Sequence, residues 1–144
     1  MKRFMKCLSL VLVMAMLIPT TTMAVEPRGS YYFMCSSVYL YREQAADRTF
    51  EVWFDVTATH SMEKLGASVI KVQRSSDGEN WTTMRTYTKE SYSQMICEDT
   101  IRHAACVTYT GTSGYYYRAY IELYAEDSSG TGEWYKYSSN TLHM

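Results

Sequence analysis

The side chains best suited to covalent chemistry in this chain are Cys35, Cys97 and Cys106, three of its four cysteines; the fourth, Cys7, belongs to the N-terminal segment 1–24. In an oxidising compartment three thiols predict one disulfide and one leftover thiol, and three pairings are possible. We favour Cys97 with Cys106, because that bridge would close a loop of about ten residues and stabilise the fold by about 2.7 kcal/mol in the chain-entropy model. A pairing with Cys35, or no bridge, stays open. An unbridged Cys35 is expected to be a small buried apolar residue.

The histidines are spaced too far apart to suggest a metal site. His60, His103 and His143 stand singly, with no His-x-x-x-His or Cys-x-x-Cys spacing that would bring two ligands to one ion. The acidic segment 126–130 lacks the alternating oxygen ligands and the distant glutamate of an EF-hand loop, so it is predicted to be a hairpin turn. The sequence therefore predicts no metal and no cofactor.

Paired carboxylates are the next candidates, since glycosidases use two of them about 5 to 10 Å apart. Glu51 and Asp55 lie four residues apart in a strand-like segment, which separates them by roughly 13 Å. That distance is too large for a shared substrate, and we predict a protein that is not an enzyme. A secreted hydrolase or an enzyme inhibitor is kept as the alternative.

Aromatic residues at polar positions of predicted strands form the most suggestive group. Aromatic rings stack on the apolar faces of sugars, and they dominate protein-binding patches. The predicted ligand-binding residues are Trp53, Tyr116, Tyr120, Tyr124, Trp134, Tyr135 and Tyr137. Cross-strand packing that merely stabilises the sheet is the competing explanation. A slip of one residue in the last strand would exchange the outward rings for inward ones.

The N-terminal segment predicts where these residues act. Residues 1–24 combine a basic start, an uncharged apolar run and a small-residue exit, which is the pattern of a signal peptide. The run of about 11 residues is shorter than the roughly 20 that a membrane-spanning helix needs. We therefore expect a secreted protein with no membrane anchor after cleavage. Its predicted parts are the signal peptide (1–24), an N-terminal segment with the first strand (25–48) and the rest of one domain (49–144).

Cleavage would also change the charge balance. The leader holds three of the 14 Lys and Arg residues and none of the 15 Asp and Glu residues. The mature chain would therefore have 11 basic and 15 acidic side chains and a net charge of −4. Such a chain repels nucleic acid and anionic lipid, so neither is predicted as a partner.

Alternating apolar and polar residues predict the strands that position these side chains. Residues 49–59 and 115–125 alternate strictly and are predicted to be half-buried strands. Shorter extended segments are predicted at 31–41, 68–74, 81–88, 104–110 and 133–142, with an irregular crossing at 91–101. No helical period is present. The pattern predicts an all-β fold, a seven-stranded antiparallel β-sandwich.

Two resemblances support this architecture. Residues 115–121, Tyr-Tyr-Tyr-Arg-Ala-Tyr-Ile, followed by Gly130, are similar to the sixth strand of fibronectin type III and immunoglobulin-like sandwiches. That resemblance implies that Tyr115 bonds nearby backbone through its hydroxyl. It also implies that Trp81 packs beneath the hairpin that contains Asp77 and Gly78.

The chain also resembles a family of small secreted proteins of unknown function from Gram-positive bacteria. The shared features are a leader, a segment similar to Val-x-Val-Gln-Arg that reads Val-Ile-Lys-Val-Gln-Arg at 69–74, Trp81 after a glycine turn, and Gly-Tyr-x-Tyr-Arg at 114–118. The resemblance implies an architecture and no activity. We expect a secreted binding or interaction module for an extracellular glycan or protein, with no cofactor.

Overall fold

The fold is all-β and antiparallel. The computed structural model describes residues 31–44 and 48–144, so the predicted signal peptide and the residues up to position 30 lie outside the described residues. The strands are β1 (Phe33–Tyr41), β2 (Thr49–Ser75), β3 (Thr82–Thr88), β4 (Ile96–Thr110), β5 (Tyr116–Glu126), β6 (Gly132–Ser138) and β7 (Leu142–His143). A single turn of 3-10 helix, Ser93–Met95, precedes β4. No helix in the described ranges has the length and apolarity that crossing a membrane requires.

The two strongly alternating segments form the centre of the sheet, as predicted. In β2 the side chains of Val52, Phe54, Val56 and Ala58 are fully buried, while the residues between them are partly exposed. In β5 the inward positions, from Tyr117 onward, are buried in the same way. Each large apolar side chain buried like this contributes about 1.5 to 3 kcal/mol.

The predicted break between residues 59 and 68 is absent. The strand β2 continues for 27 residues and pairs with four other strands, β1, β3, β4 and β5. Gly66 permits this continuity, since a Cβ there would overlap the carbonyl oxygen of Met95. A register shift between Thr57 and Met62 lies where the pairing of β2 with β1 ends and its pairing with β5 begins, while β4 pairs with β2 on both sides of the shift.

The irregular crossing predicted at 91–101 is shorter than expected. Residues 89–95, which include the 3-10 turn, lie outside the strands, and the Met95 side chain is fully buried. From Ile96 onward β4 is a strand whose first part pairs with the middle of β2, at residues 62–66, and whose second part pairs with its beginning. Charged residues at 98, 99 and 102 hide the apolar alternation there, and backbone pairing forms the strand regardless.

The long β2 strand divides the curled sheet into two halves. In the first half, β1 and β4 flank residues 49–57 of β2. In the second half, β3 and β5 flank residues 69–74, and β6 pairs with the outer edge of β5. Inward residues of both halves, such as Phe54 and Ile121, belong to one buried cluster. The opposite faces of the two halves point to solvent.

Side chains join β1 to β6, and no strand pairing between these two is present among the described residues. The side-chain amide of Asn140 accepts a hydrogen bond from the Leu40 amide at 2.7 Å and reaches the Leu40 carbonyl at 3.4 Å. The Tyr32 amide donates to Glu133, and the Ser36 hydroxyl donates to Tyr137. These bonds satisfy part of the β1 edge.

Candidate functional site

The predicted aromatic residues separate into three groups in the structure. Tyr116, Tyr120, Tyr124 and Trp134 lie on the outer side of the second half, where Tyr124 and Trp134 are direct cross-strand partners. Tyr135 and Tyr137 point to the opposite side of β6. Trp53 lies on the outer side of the first half. Only the first of these groups brings several of the predicted rings to one outer face.

Tyr135 and Tyr137 do not share the outer face of the first group. Their cross-strand partners are the buried residues Leu123 and Ile121, so both rings lie on the inward side of β6. The Tyr135 ring packs edge-on against Phe33 with centroids 6.2 Å apart, and the Tyr137 ring lies 5.0 Å from that of Tyr135. They contribute to packing between β6 and β1 rather than to an exposed surface.

Trp134 is the most exposed aromatic residue of the second half. Its side chain is 55% exposed, whereas its partner Tyr124 is 6% exposed. The two ring centroids lie 5.2 Å apart at an interplanar angle of 42°. Gly132 makes this arrangement possible, because a Cβ at that position would lie 3.0 Å from the Tyr124 ring and 3.4 Å from the Trp134 ring. The glycine thus lets Tyr124 pack beneath the exposed indole.

Charged residues hold Tyr124 in place. The Lys89 ammonium lies over the ring, 4.3 Å from its centroid, and the hydroxyl donates to Glu126. Glu126 also accepts from Lys64 at 2.8 Å. Burial and the neighbouring Glu126 carboxylate raise the pKa of Tyr124 to about 12, while Lys64 lowers the pKa of Glu126. We call Tyr124, Trp134, Lys64, Lys89 and Glu126 the aromatic–lysine face.

An open groove adjoins the aromatic–lysine face. Lys64 and Lys89 form part of its wall, with Glu90 and Glu98 nearby, and its volume is about 550 Å³. A groove of this size falls in the range of small-ligand sites. The exposed indole can stack on one ring of a ligand. The charged groups that line the groove can bind polar substituents.

The remaining outward aromatic residues continue the second half away from this groove. Tyr120 is partly exposed opposite Lys71, and the Tyr116 ring lies 4.4 Å from that of His143. Trp81 lies under the Arg118 guanidinium, 4.3 Å from the ring centroid. Trp81 is partly exposed and does not belong to the buried cluster, so its packing partner is a cation on the outer face.

The hydroxyl bond predicted for Tyr115 is made by Tyr117. The Tyr117 side chain is buried, and its hydroxyl accepts from the Thr112 amide at 2.7 Å. Tyr115 is only partly buried and lies under the Arg74 guanidinium. Three tyrosines in succession make this assignment ambiguous in the sequence, since two of them share a strand face.

Trp53 lies apart from the aromatic–lysine face, next to Tyr39 and Tyr41, which were not among the predicted site residues. Its indole N–H donates to Glu51 at 2.6 Å. Its cross-strand partner Tyr39 is 43% exposed, and Tyr41 is 50% exposed. Alternation with the buried Leu40 is the signal that could have placed both tyrosines outward. We call Tyr39, Tyr41 and Trp53 the tyrosine–tryptophan face.

The favoured disulfide, Cys97 with Cys106, is wrong. Both residues belong to β4, nine positions apart, which separates them by on the order of 30 Å along the strand. A disulfide needs Cα atoms within about 7 Å. Cys35, Cys97 and Cys106 are all free, and Cys35 is exposed rather than buried. The predicted loop between Cys97 and Cys106 is in fact a continuous strand.

The remaining polar candidates are engaged in local contacts. Asp55 pairs with Arg102, which lowers the pKa of the Asp55 carboxyl through its hydrogen bonds, and Glu51 is bound by Trp53. His103 contacts the Gln94 carbonyl at 2.8 Å. Across residues 31–44 and 48–144, no group of three His, Cys, Asp or Glu side chains is arranged to hold a metal ion.

Comparisons with known proteins add no relative to this description. No family model, curated protein or solved structure matches the chain.

Proposed function

We propose that this protein is an exported glycan-binding module that binds sugars at the aromatic–lysine face. The exposed indole of Trp134, packed on Tyr124, is the observation that carries the proposal. An indole held by packing loses little conformational freedom when a ligand stacks on it. The Lys64 and Lys89 ammonium groups can donate to hydroxyl groups of a sugar, while Glu126 holds Lys64 and Tyr124 in place.

The proposal includes a fibronectin type III-like sandwich as its framework. The strands β1 and β4 pair with the beginning of β2, whereas β3 and β5 pair with its end and β6 pairs with β5. These pairings support a three-stranded layer and a four-stranded layer that share β2. The bond from Thr112 to the Tyr117 hydroxyl supports the same assignment. In that framework the aromatic–lysine face is the outside of the four-stranded layer.

A panel of immobilised glycans tests the proposal. We expect Trp134→Ala to lower retention at least about fivefold, because a stacked ring contributes about 1 to 3 kcal/mol in comparable recognition. Tyr39→Ala is the matched control, since it removes an exposed aromatic ring from the other half. Equal melting temperatures for the two variants would show that the fold is intact. Lack of retention of the unmodified protein on every glycan would refute the proposal.

A protein partner is the second candidate, and the tyrosine–tryptophan face favours it. Tyr39 and Tyr41 are exposed next to Trp53, and tyrosine and tryptophan are enriched in protein interfaces. For this candidate the same two variants exchange roles. Tyr39→Ala would then abolish capture of a partner, and Trp134→Ala would leave it unchanged.

A further inference from the structure

The outer face of the second half carries more positive than negative charge, although the whole chain has a net charge of −1. The outward positions of β5 and the residues that pair or stack with them include five cations and two anions. The cations are Lys64, Lys71, Lys89, Arg118 and Lys136, and the anions are Glu122 and Glu126. The face is thus cationic on a chain that is acidic overall.

Both anions of this face are already engaged. Glu126 binds Lys64 and Tyr124, and Glu122 accepts a hydrogen bond from the Ser68 hydroxyl at 2.8 Å. In the described part of the chain the ion pairs are Lys64 with Glu126 and Arg102 with Asp55. Lys71, Lys89, Arg118 and Lys136 therefore have no ion-pair partner there. Lys89 lies over the Tyr124 ring, so Lys71, Arg118 and Lys136 are the charges that remain for a ligand. Arg118 also lies over Trp81 and donates to Gln73 at 2.8 Å.

One aromatic ring, that of Tyr120, lies among these three cations. Tyr120 is the cross-strand partner of Lys71, and Arg118 is two positions from Tyr120 on the same strand. Lys136 is the cross-strand partner of Glu122. Strand geometry separates Lys71 from Arg118 by about 8 Å and from Lys136 by about 12 Å between Cα atoms. A ligand lying across β2, β5 and β6 would meet Lys71, the Tyr120 ring and then Lys136 beside Glu122.

We propose that the glycan bound here is anionic, with carboxylate or phosphate groups along the polymer that pair with Lys71, Arg118 and Lys136. The inference rests on the proposed glycan-binding function and extends it to a substrate class. Rings stack on the sugars while the cations form charge-assisted hydrogen bonds with the anionic groups. The positive face also raises the local concentration of a polyanion.

Titration of the purified protein with four polymers tests this inference. The probes are polygalacturonate for carboxylates, phosphomannan for phosphodiesters, amylose as a neutral glycan, and oligo(dT) as an anion that lacks a glycan chain. We expect at least one anionic glycan to bind more tightly than amylose and oligo(dT). Raising the ionic strength to about 0.15 M should weaken that binding, because exposed charges are then screened.

Charge-removing variants identify the face. Lys71→Gln with Lys136→Gln should weaken binding of the anionic glycan about tenfold, the sum expected for two exposed charge pairs. Arg42→Gln with Arg48→Gln removes the same charge from the segment between β1 and β2, and it should leave binding within about twofold. Equal losses for the two double variants would overturn the inference, since net charge rather than this face would then determine affinity.

The outcomes separate this inference from the proposed function. Trp134-dependent binding of amylose that the lysine variants do not change would refute the anionic class and leave the glycan proposal standing. Salt-sensitive binding of an anionic glycan that needs Lys71 and Lys136 but not Trp134 would support the charged face and refute the Trp134 site. Binding of oligo(dT) as tight as that of the glycans would overturn the substrate class. No binding to any polymer would refute both.

Discussion

On the outer side of the second half, aromatic rings lie next to cations, whereas on the outer side of the first half they stand beside engaged carboxylates. Trp134 lies over Tyr124 next to Lys89. Trp53, by contrast, donates its indole N–H to Glu51, and the nearby Asp55 is bound by Arg102. Both faces arise from the same alternation of apolar and polar residues. The polar neighbours, not the rings, therefore distinguish a surface with free binding capacity from one that is internally satisfied.

The two halves share one buried cluster and should unfold together, and Phe54→Ala, which we expect to have the largest effect on stability, tests this. Phe54 is fully buried in the cluster that both halves share. Its truncation should lower the free energy of unfolding by about 3 to 5 kcal/mol. Fluorescence of variants that retain only Trp53 or only Trp134 should report the same denaturant midpoint. Separate midpoints would show that the halves unfold independently.

Tyr124→Phe tests the second half by removing one hydroxyl, which donates to Glu126 beneath the exposed indole. We expect a loss of about 1 kcal/mol at neutral pH, the net contribution of one hydrogen bond. Folding raises the pKa of Tyr124 from 10.0 to about 12, so its contribution is complete below pH 10 and is lost as the pH rises toward 12. Denaturation curves of both proteins across that range should converge. A constant difference up to pH 12 would contradict this assignment.

Asp55→Asn tests the first half and should have the smallest effect. The Asp55 side chain is 32% exposed and that of Arg102 is 64% exposed, so we expect Tm to fall by no more than about 2 °C at pH 7. Because Arg102 lowers the pKa of Asp55, the pair stabilises the fold above pH 3.8 and loses this effect as the pH falls further. A larger Tm shift at acidic pH than at neutral pH would refute this account.

Local alternation predicts the central strands and the side of β5 to which alternate residues point. The inward residues of β2 and β5 follow the period of two that a half-buried strand imposes. The outward placement of Tyr116 and Tyr120 follows from the same period. Tyr124 is the exception, because Trp134 and Lys89 cover it, and those contacts depend on the pairing of β5 with β6.

The errors arose where tertiary pairing overrides local pattern. Residues 96–102 have little apolar alternation, yet they form a strand because residues 57–66, in the middle of β2, pair with them. That strand separates Cys97 from Cys106. The orientation of Tyr135 and Tyr137 depended on a register that one residue can invert, and the partners Leu123 and Ile121 fix it.

The Asn140 side chain has a consequence for the order of events during biosynthesis. It covers backbone groups of Leu40 that lie 100 residues earlier in the chain. A growing chain must therefore be extended by another 100 residues before that edge of β1 is occupied. Until then the Leu40 amide and carbonyl can pair with the edge strand of another molecule. Efficient production of this protein consequently depends on keeping nascent chains apart until their C-terminal strands emerge.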